Sequence, residues 1–194
     1  MVQKLAHGLE TCSPQMNRTI YTIGHSTRTI EQLIQILRAH SITLLVDVRT
    51  LPRSKHNPQF DGDALRSSLE RVGIGYVHLK GLGGLRRPSR DSVNTGWRNE
   101  GFRGYADHMQ TEEFRAALAR LMELGEGQTV TIMCAEGNPF RCHRMLVADA
   151  LTARGIRVVH VSSERSVRIH TMTPFAKVTS QRVSYPVEPG QITL

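Results

Sequence analysis

Ile42-Thr43-Leu44-Leu45-Val46-Asp47-Val48-Arg49 is the stretch on which the fold turns. It is almost continuously apolar up to Asp47 and shows none of the alternation of a strand with one wet face. A run of this kind belongs to a strand buried on both faces, and such strands are usually parallel and central. The acid at its carboxyl end then needs an explanation, because a buried carboxylate is costly unless paired or hydrogen-bonded. Arg49 is the natural partner for Asp47, and a bound ligand is the other.

Working outward, the neighbouring segments repeat the same alternation of strand and helix. Upstream, Ile20 to Ile23 reads as a short strand that stops at Gly24-His25-Ser26. Ile30, Leu33, Ile34 and Leu37 then fall at helical spacing behind a Thr29 cap. Downstream, a loop with Pro52 and Pro58 leads to a helix capped by Asp61, carrying Leu65 and Leu69 and closed by Gly73. Gly75 to Leu79 reads as a strand. Residues 80–103 are rich in Gly and Arg and lack periodicity, as functional or mobile loops do. Thr111 caps a helix with Phe114, Leu118 and Leu121, and Thr129 to Cys134 is a strand. Phe140 to Arg154 reads as a helix closed by Gly155, and Ile156 to Val161 as the last strand.

This order predicts an α/β fold: a mostly parallel sheet of about five strands with helices on both faces, a Rossmann/flavodoxin-like three-layer sandwich. The expected division is a flexible N-terminal extension over 1–18, a single domain over 19–178 and a peripheral C-terminal tail over 179–194, where Pro186 and Pro189 occur.

Composition bounds the function. A chain of 194 residues that is 39% hydrophobic suits one domain with a sizeable core. The formal charge of +8 favours anionic partners, from phosphorylated small molecules and nucleotides to nucleic acid, or simply a soluble surface. Aromatics at 5% argue against a stacking platform for single strands. Cys12, Cys134 and Cys142 are too few and odd in number for a disulfide framework, which points to a reducing compartment. No apolar run is long enough to span a bilayer, and Met1 to Arg18 lacks the apolar core of a signal peptide, so a cytoplasmic location is expected.

Chemistry gathers where the strands end. Gly24-His25-Ser26, Asp47-Val48-Arg49, His78 with Lys80, and Cys134-Ala135-Glu136 all stand at carboxyl ends, where open parallel sheets bind their ligands. Ordinary loop polarity is the alternative reading. The richest segment runs from Cys134 to Arg144. Pro139 in the first helical position, with Asn138 as cap, would aim backbone N–H groups and a positive helix end beside Cys134. That setting stabilises an anion and lowers a thiol pKa, so Cys134 is a candidate nucleophile, set against a buried inert thiol. Glu136 is a candidate general acid or base, or a cap. Cys142 and His143 would fall on the apolar rows of the helix. There Cys142 packs, or serves as a redox partner of Cys134, and His143 is structural or catalytic. Arg144 would clamp an anion or anchor a loop.

Other motifs are excluded. Adjacent helical residues diverge, so Cys142 and His143 would chelate poorly together; with no second ligand pair, no metal is expected. A cysteine-phosphatase loop sets five residues between Cys and Arg, but the Arg position counted from Cys134 is Phe140, and Arg141 comes one residue late. Gly81-Leu82-Gly83-Gly84 has neither the spacing nor the context of a nucleotide-binding loop. No cofactor motif is present, and no cofactor is expected.

Taken together, Ile23-Gly24-His25-Ser26, Asp47-Val48-Arg49, Leu82-Gly83-Gly84, Cys134-Ala135-Glu136, Cys142-His143-Arg144 and His170 before Thr171 resemble the family known as domain of unknown function 488. The resemblance spans about Thr19 to Lys177. It implies a small bacterial-type α/β protein and, through some relatives, a link to DNA metabolism. By match it carries over His25, Asp47, Arg49, Cys134, Glu136, Cys142, His143, Arg144 and His170.

The leading expectation is an enzyme, a cysteine-dependent hydrolase or group transferase, acting on a phosphorylated or nucleotide-like anion. Cys134 would attack, and His25, Glu136 and His143 would move protons. Asp47 would orient an Arg or His. Arg49, Arg53, Arg86 and Arg144, with Ser26 and His170, would hold the anion. The alternatives are a nucleic-acid-binding or base-processing protein, and a non-catalytic metabolite-binding protein.

Overall fold

The structure, a computed structural model, describes residues 18–187. The expected N-terminal extension therefore lies almost wholly outside the described residues. The chain forms a six-stranded, mostly parallel sheet with five helices. Its strands are β1 (Thr19–Gly24), β2 (Leu44–Asp47), β3 (Gly75–His78), β4 (Val130–Cys134), β5 (Arg157–Val161) and β6 (Val167–Ile169), in the spatial order β3-β2-β4-β1-β5-β6. The first five pair parallel, and β6 runs antiparallel to β5. The layering is that of a Rossmann/flavodoxin-like sandwich, although here β4 inserts between β2 and β1.

The helices are α1 (Ile30–Ala39), α2 (Gly62–Glu70), α3 (Glu100–His108), α4 (Glu112–Leu124) and α5 (Arg144–Thr152). Two apolar clusters lie on opposite faces of the sheet. Leu33 and Leu37 of α1 and Leu65 and Leu69 of α2 pack with Leu45 and Met133. Tyr105, Phe114, Leu118, Leu146 and Val147 from the other three helices pack with Leu44, Val46 and Ile132. Leu44 and Leu45 thus face opposite ways, and both are buried, as a central parallel strand requires.

Thr29 begins α1 with a complete capping box: its side chain accepts from Gln32 N, and Gln32 reaches back to the Thr29 N–H. Asp61 precedes α2 but does not cap it by side chain; its carboxylate accepts from Ser54 N instead. Gly73 adopts φ +77°, the left-handed geometry expected after a helix.

Three parts of the chain depart from the sequence reading. Residues 80–103 end in α3, whose Gly101 and Gly104 hide its period; Gly104 is required because a Cβ there would meet Arg86 O at 2.5 Å. The loop is pinned rather than loose. Thr50 Oγ1 donates to Gly84 O, Tyr105 Oη to Leu82 O and His108 Nε2 to Gly81 O. The helix expected from Phe140 is divided. A single 3-10 turn spans Pro139–Arg141, Cys142 is extended, and α5 begins only at Arg144. Proline and the Asn138 cap are satisfied by that one turn, and the extended residue then carries the Cys142 side chain into the core.

The stretch expected as a peripheral tail also takes part in the core. Lys177–Thr179 (β7) and Arg182–Ser184 (β8) form a hairpin, and Tyr185 beyond it is fully buried. Tyr185, His170 and Thr173 close over α5 through hydrogen bonds to Asp149. This is why every residue from Arg144 to Leu151 is buried.

Candidate active site

Strands β1, β2 and β4 end side by side, and the residues just past their carboxyl ends build the site. Cys134 closes β4 opposite Gly24 of β1. That glycine permits the close approach: a Cβ on it would lie 1.9 Å from Glu136 O. The adjoining backbone is held by His25 N to Cys134 O and Ser26 N to Ala135 O, both 2.9 Å.

Cys134, Cys142 and His143 converge here. His143 Nδ1 lies 3.9 Å from Cys134 Sγ and 3.7 Å from Cys142 Sγ, and the three atoms all lie within 4.8 Å of one another. The expected divergence of Cys142 and His143 does not occur. Divergence would require both residues to be helical, whereas Cys142 is extended and only His143 adopts helical angles, at the N-cap of α5. His143 Nε2 donates to Val48 O over 3.0 Å, so in the neutral ring Nδ1 is the acceptor turned to the two sulfurs. Gly84 makes room for it, since a Cβ there would meet Nδ1 at 2.9 Å. This fit gives the Leu82-Gly83-Gly84 segment its place in the site.

The two sulfurs lie within 4.8 Å of each other. The hydrogen bond from Cys134, aided by the charge of Arg144, holds the Cys142 thiol well below its ordinary value, against the opposing effect of burial. The same bond, then burial, pushes the Cys134 thiol up.

Two clefts open on this cluster. One, about 530 Å³, is lined by Cys134, Cys142, His143, Glu136, Arg141 and Tyr105 among others. The second, about 400 Å³, is lined by Arg49, Thr50, Arg53, Cys134 and His143 among others. Gly84, Leu85 and Ala135 border both. Leu85 stands between them with a left-handed φ of 58° and is 89% exposed. Two arginines at the clefts, Arg53 and Arg141, are exposed and unpaired among the described residues. Arg141 was not singled out from sequence, where its only sign was its near-miss to phosphatase spacing.

The remaining candidates take other places. Asp47 is fully buried and accepts from Arg49 N, Nε and Nη2 and from Tyr76 Oη. Arg49 also donates to Phe60 O, which makes this pair the brace of the β2 end. Arg86 is tied to Gly83 O and Glu113 rather than to a cleft. His25 is buried, stacks on Phe60 at 4.3 Å, and donates from Nδ1 to Ser26 O, while Nε2 has no partner. Burial lowers its pKa, so it is neutral. Neither His25 nor Ser26 lines the two clefts. Glu136 is exposed, lines the larger cleft and accepts from Asn138 N.

Arg144 and His170 belong to a second, buried cluster. Arg144 donates to Glu136 O and, over 3.2 Å, to Thr22 Oγ1; it anchors the loop and does not face a cleft. Thr22 Oγ1 is 2.8 Å from His160 Nδ1, His160 Nε2 is 3.0 Å from His170 Nδ1, and His170 Nε2 is 2.8 Å from Asp149 Oδ1. Asp149 also accepts from Thr173 N, Thr173 Oγ1 and Tyr185 Oη. His170 is thus a structural residue here, 7% exposed and turned inward.

Fold and site together define an α/β protein with a thiol–imidazole cluster at the carboxyl ends of its parallel strands. The chain belongs to the family described as domain of unknown function DUF488, whose family model matches residues 29–151. That match takes in Asp47, Arg49, Gly84, Cys134, Cys142 and His143, and leaves His25 and His170 outside it. No curated protein matches the chain, and no solved structure does. Among the described residues, no helix is long and apolar enough to cross a membrane.

Proposed function

We propose that this protein is an enzyme that hydrolyses, or transfers a group from, a small phosphorylated or nucleotide-like anion, with Cys134 as the attacking residue. The observation that carries the reading is the position of Cys134: it borders both clefts and lies 3.9 Å from a group able to take its proton, Nδ1 of His143. An activated nucleophile needs a base within reach, itself oriented by a third group, and Val48 O orients His143 in that way.

In this reading Arg53 and Arg141 receive the anion from the two sides. The Cys134 sulfur attacks phosphorus as its proton passes to His143 Nδ1. The bond from phosphorus to the leaving oxygen breaks, and Glu136, in the same cleft, protonates that oxygen. Water or an acceptor hydroxyl then takes the phosphoryl group from sulfur. Arg49 and Arg144 support the site from beneath. Thiol chemistry of this kind needs reduced cysteines, which favours the cytoplasm.

The test is alkylation of the intact protein, mapped by mass spectrometry to each cysteine, with and without inorganic phosphate and mononucleotides, alongside a panel of phosphoesters. The expected result is fast labelling within the Cys134–Cys142 pair, slowed by the anions, and turnover that is lost in Cys134→Ser. Labelling indifferent to every anion, with no phosphoester consumed, would sink the reading.

A further inference from the structure

We infer that Cys134, Cys142 and His143 form a three-ligand site for a thiophilic divalent cation of the zinc type, with the fourth coordination position open to the larger cleft. The inference rests on the placement of donor atoms and not on the reaction proposed above.

Donor spacing comes first. Tetrahedral zinc bonds of about 2.3 Å to sulfur and about 2.0 Å to nitrogen place the nitrogen about 3.5 Å from each sulfur. The distances here, 3.7 and 3.9 Å, already approach that edge. Closing on an ion shortens the nitrogen–sulfur edges by roughly 0.2–0.4 Å and brings the two sulfurs, which lie within 4.8 Å of each other, towards a tetrahedral edge of about 3.8 Å, a shift within the freedom of cysteine side chains. Among the described residues, this is the one group of three or more Cys, His, Asp or Glu side chains whose donor atoms could share an ion.

Orientation comes second. A metal-bound histidine usually gives its other ring N–H to a carboxylate, a backbone carbonyl or water, which fixes tautomer and ring plane. His143 already does so through Nε2 and Val48 O, leaving the Nδ1 lone pair directed between the sulfurs. Gly84 lies against that side of the ring, so the ring is located by backbone on both edges.

Ligand softness and count come third. Two thiolates and one imidazole select zinc and similar cations over magnesium or calcium, which take oxygen ligands. Three protein ligands with one position facing a cleft is the arrangement of an open site, in which water or an anionic oxygen completes the shell. All three ligands line the larger cleft, beside the unpaired Arg141. A cation held there ties up the sulfur lone pairs that an attack by Cys134 would use, so metal loading and thiol attack exclude one another.

The experiment is titration of the reduced full-length chain with Co2+, followed by displacement with Zn2+. The expected result is one Co2+ per chain with sulfur-to-cobalt charge-transfer bands and the intense visible bands of tetrahedral cobalt, all removed by Zn2+. The charge-transfer bands are lost in Cys134→Ser and Cys142→Ser and persist in Cys12→Ser. A second measurement needs no variant: Zn2+ protects Cys134 and Cys142 of the wild-type protein from alkylation and leaves Cys12 reactive. Weak octahedral cobalt spectra, unchanged bands in either of the two site variants, or no protection by Zn2+ would overturn the site. A chain that binds Co2+ as described yet consumes no phosphoester removes only the proposed reaction. One that turns over phosphoesters without binding Co2+ removes only the cation site.

Discussion

Two polar clusters lie on either side of Arg144, and they differ in one respect. In the buried network from Arg144 through Thr22, His160 and His170 to Asp149, both ring nitrogens of each histidine and both oxygens of Asp149 have partners, and Nε of Arg144 alone is left without one. In the cluster of Cys134, Cys142 and His143, the donor atoms crowd together and face open clefts. A fully connected network rigidifies a core. A crowded group of soft nucleophiles at strand ends is arranged for something that enters. The contrast teaches that the number of histidines near a site is a poor guide to function, and that the useful question is what each ring nitrogen already holds.

The contrast can be broken most forcefully at Asp149. Asp149→Ala strands four donors, from His170, Thr173 N, Thr173 Oγ1 and Tyr185. Each stranded buried donor costs about 1–3 kcal/mol and the losses overlap, so a total near 3–5 kcal/mol is expected from urea unfolding. A loss below about 1 kcal/mol would mean that the network does not hold the C-terminal segment on α5.

A pH titration of stability comes next. His160 is lowered from 6.5 to about 4 by burial, then by His170, Arg144 and Arg168, with Asp149 opposing. Between these values the unfolded chain binds the extra proton and the folded chain does not. Stability therefore falls as pH drops from 6.5 towards about 4 and is fully present above 6.5. The share of His160 is roughly 2–3 kcal/mol. His160→Gln should flatten the wild-type curve in that window, and an equal slope in both proteins would remove the assignment.

Gly84→Ala sharpens the comparison from the other side. Its Cβ would meet His143 Nδ1 at 2.9 Å. Overpacking of this kind costs about 1–3 kcal/mol, and the displaced ring should slow alkylation at Cys134 and Cys142. Unchanged labelling rates would show that the ring is not held in place by the glycine backbone. The smallest stability effect belongs to the thiols. Cys142→Ser should alter unfolding by only about 1 kcal/mol while removing anion-sensitive labelling at Cys134. A large destabilisation instead would return Cys142 to a packing role.

The strands were legible because burial on both faces leaves long apolar runs, and Thr29 and Thr111 announced their helices through capping chemistry. Asp47 was legible too, since an acid inside such a run demands the arginine that the fold supplies. The misses share a cause, which is that local rules were satisfied over shorter distances than assumed. Pro139 opens one turn rather than a helix, and that single difference brings Cys142 and His143 together. Strand β6 escaped notice because Val167, Arg168 and Ile169 are all exposed, so an edge strand left no burial pattern. His170 looked like a ligand group because nothing in sequence shows that Asp149, Thr173 and Tyr185 enclose it.

The buried network also has a direction. Asp149 only accepts and Arg144 only donates, so with neutral rings every group between them is satisfied when Thr22 donates to His160 and His160 to His170. No member can turn its proton around alone, because reversing one hydroxyl or ring leaves two donors facing each other at the next junction. The chain of donors from Arg144 to Asp149 thus ties strands β1 and β5 and the residue after β6 to α5 in a single sense.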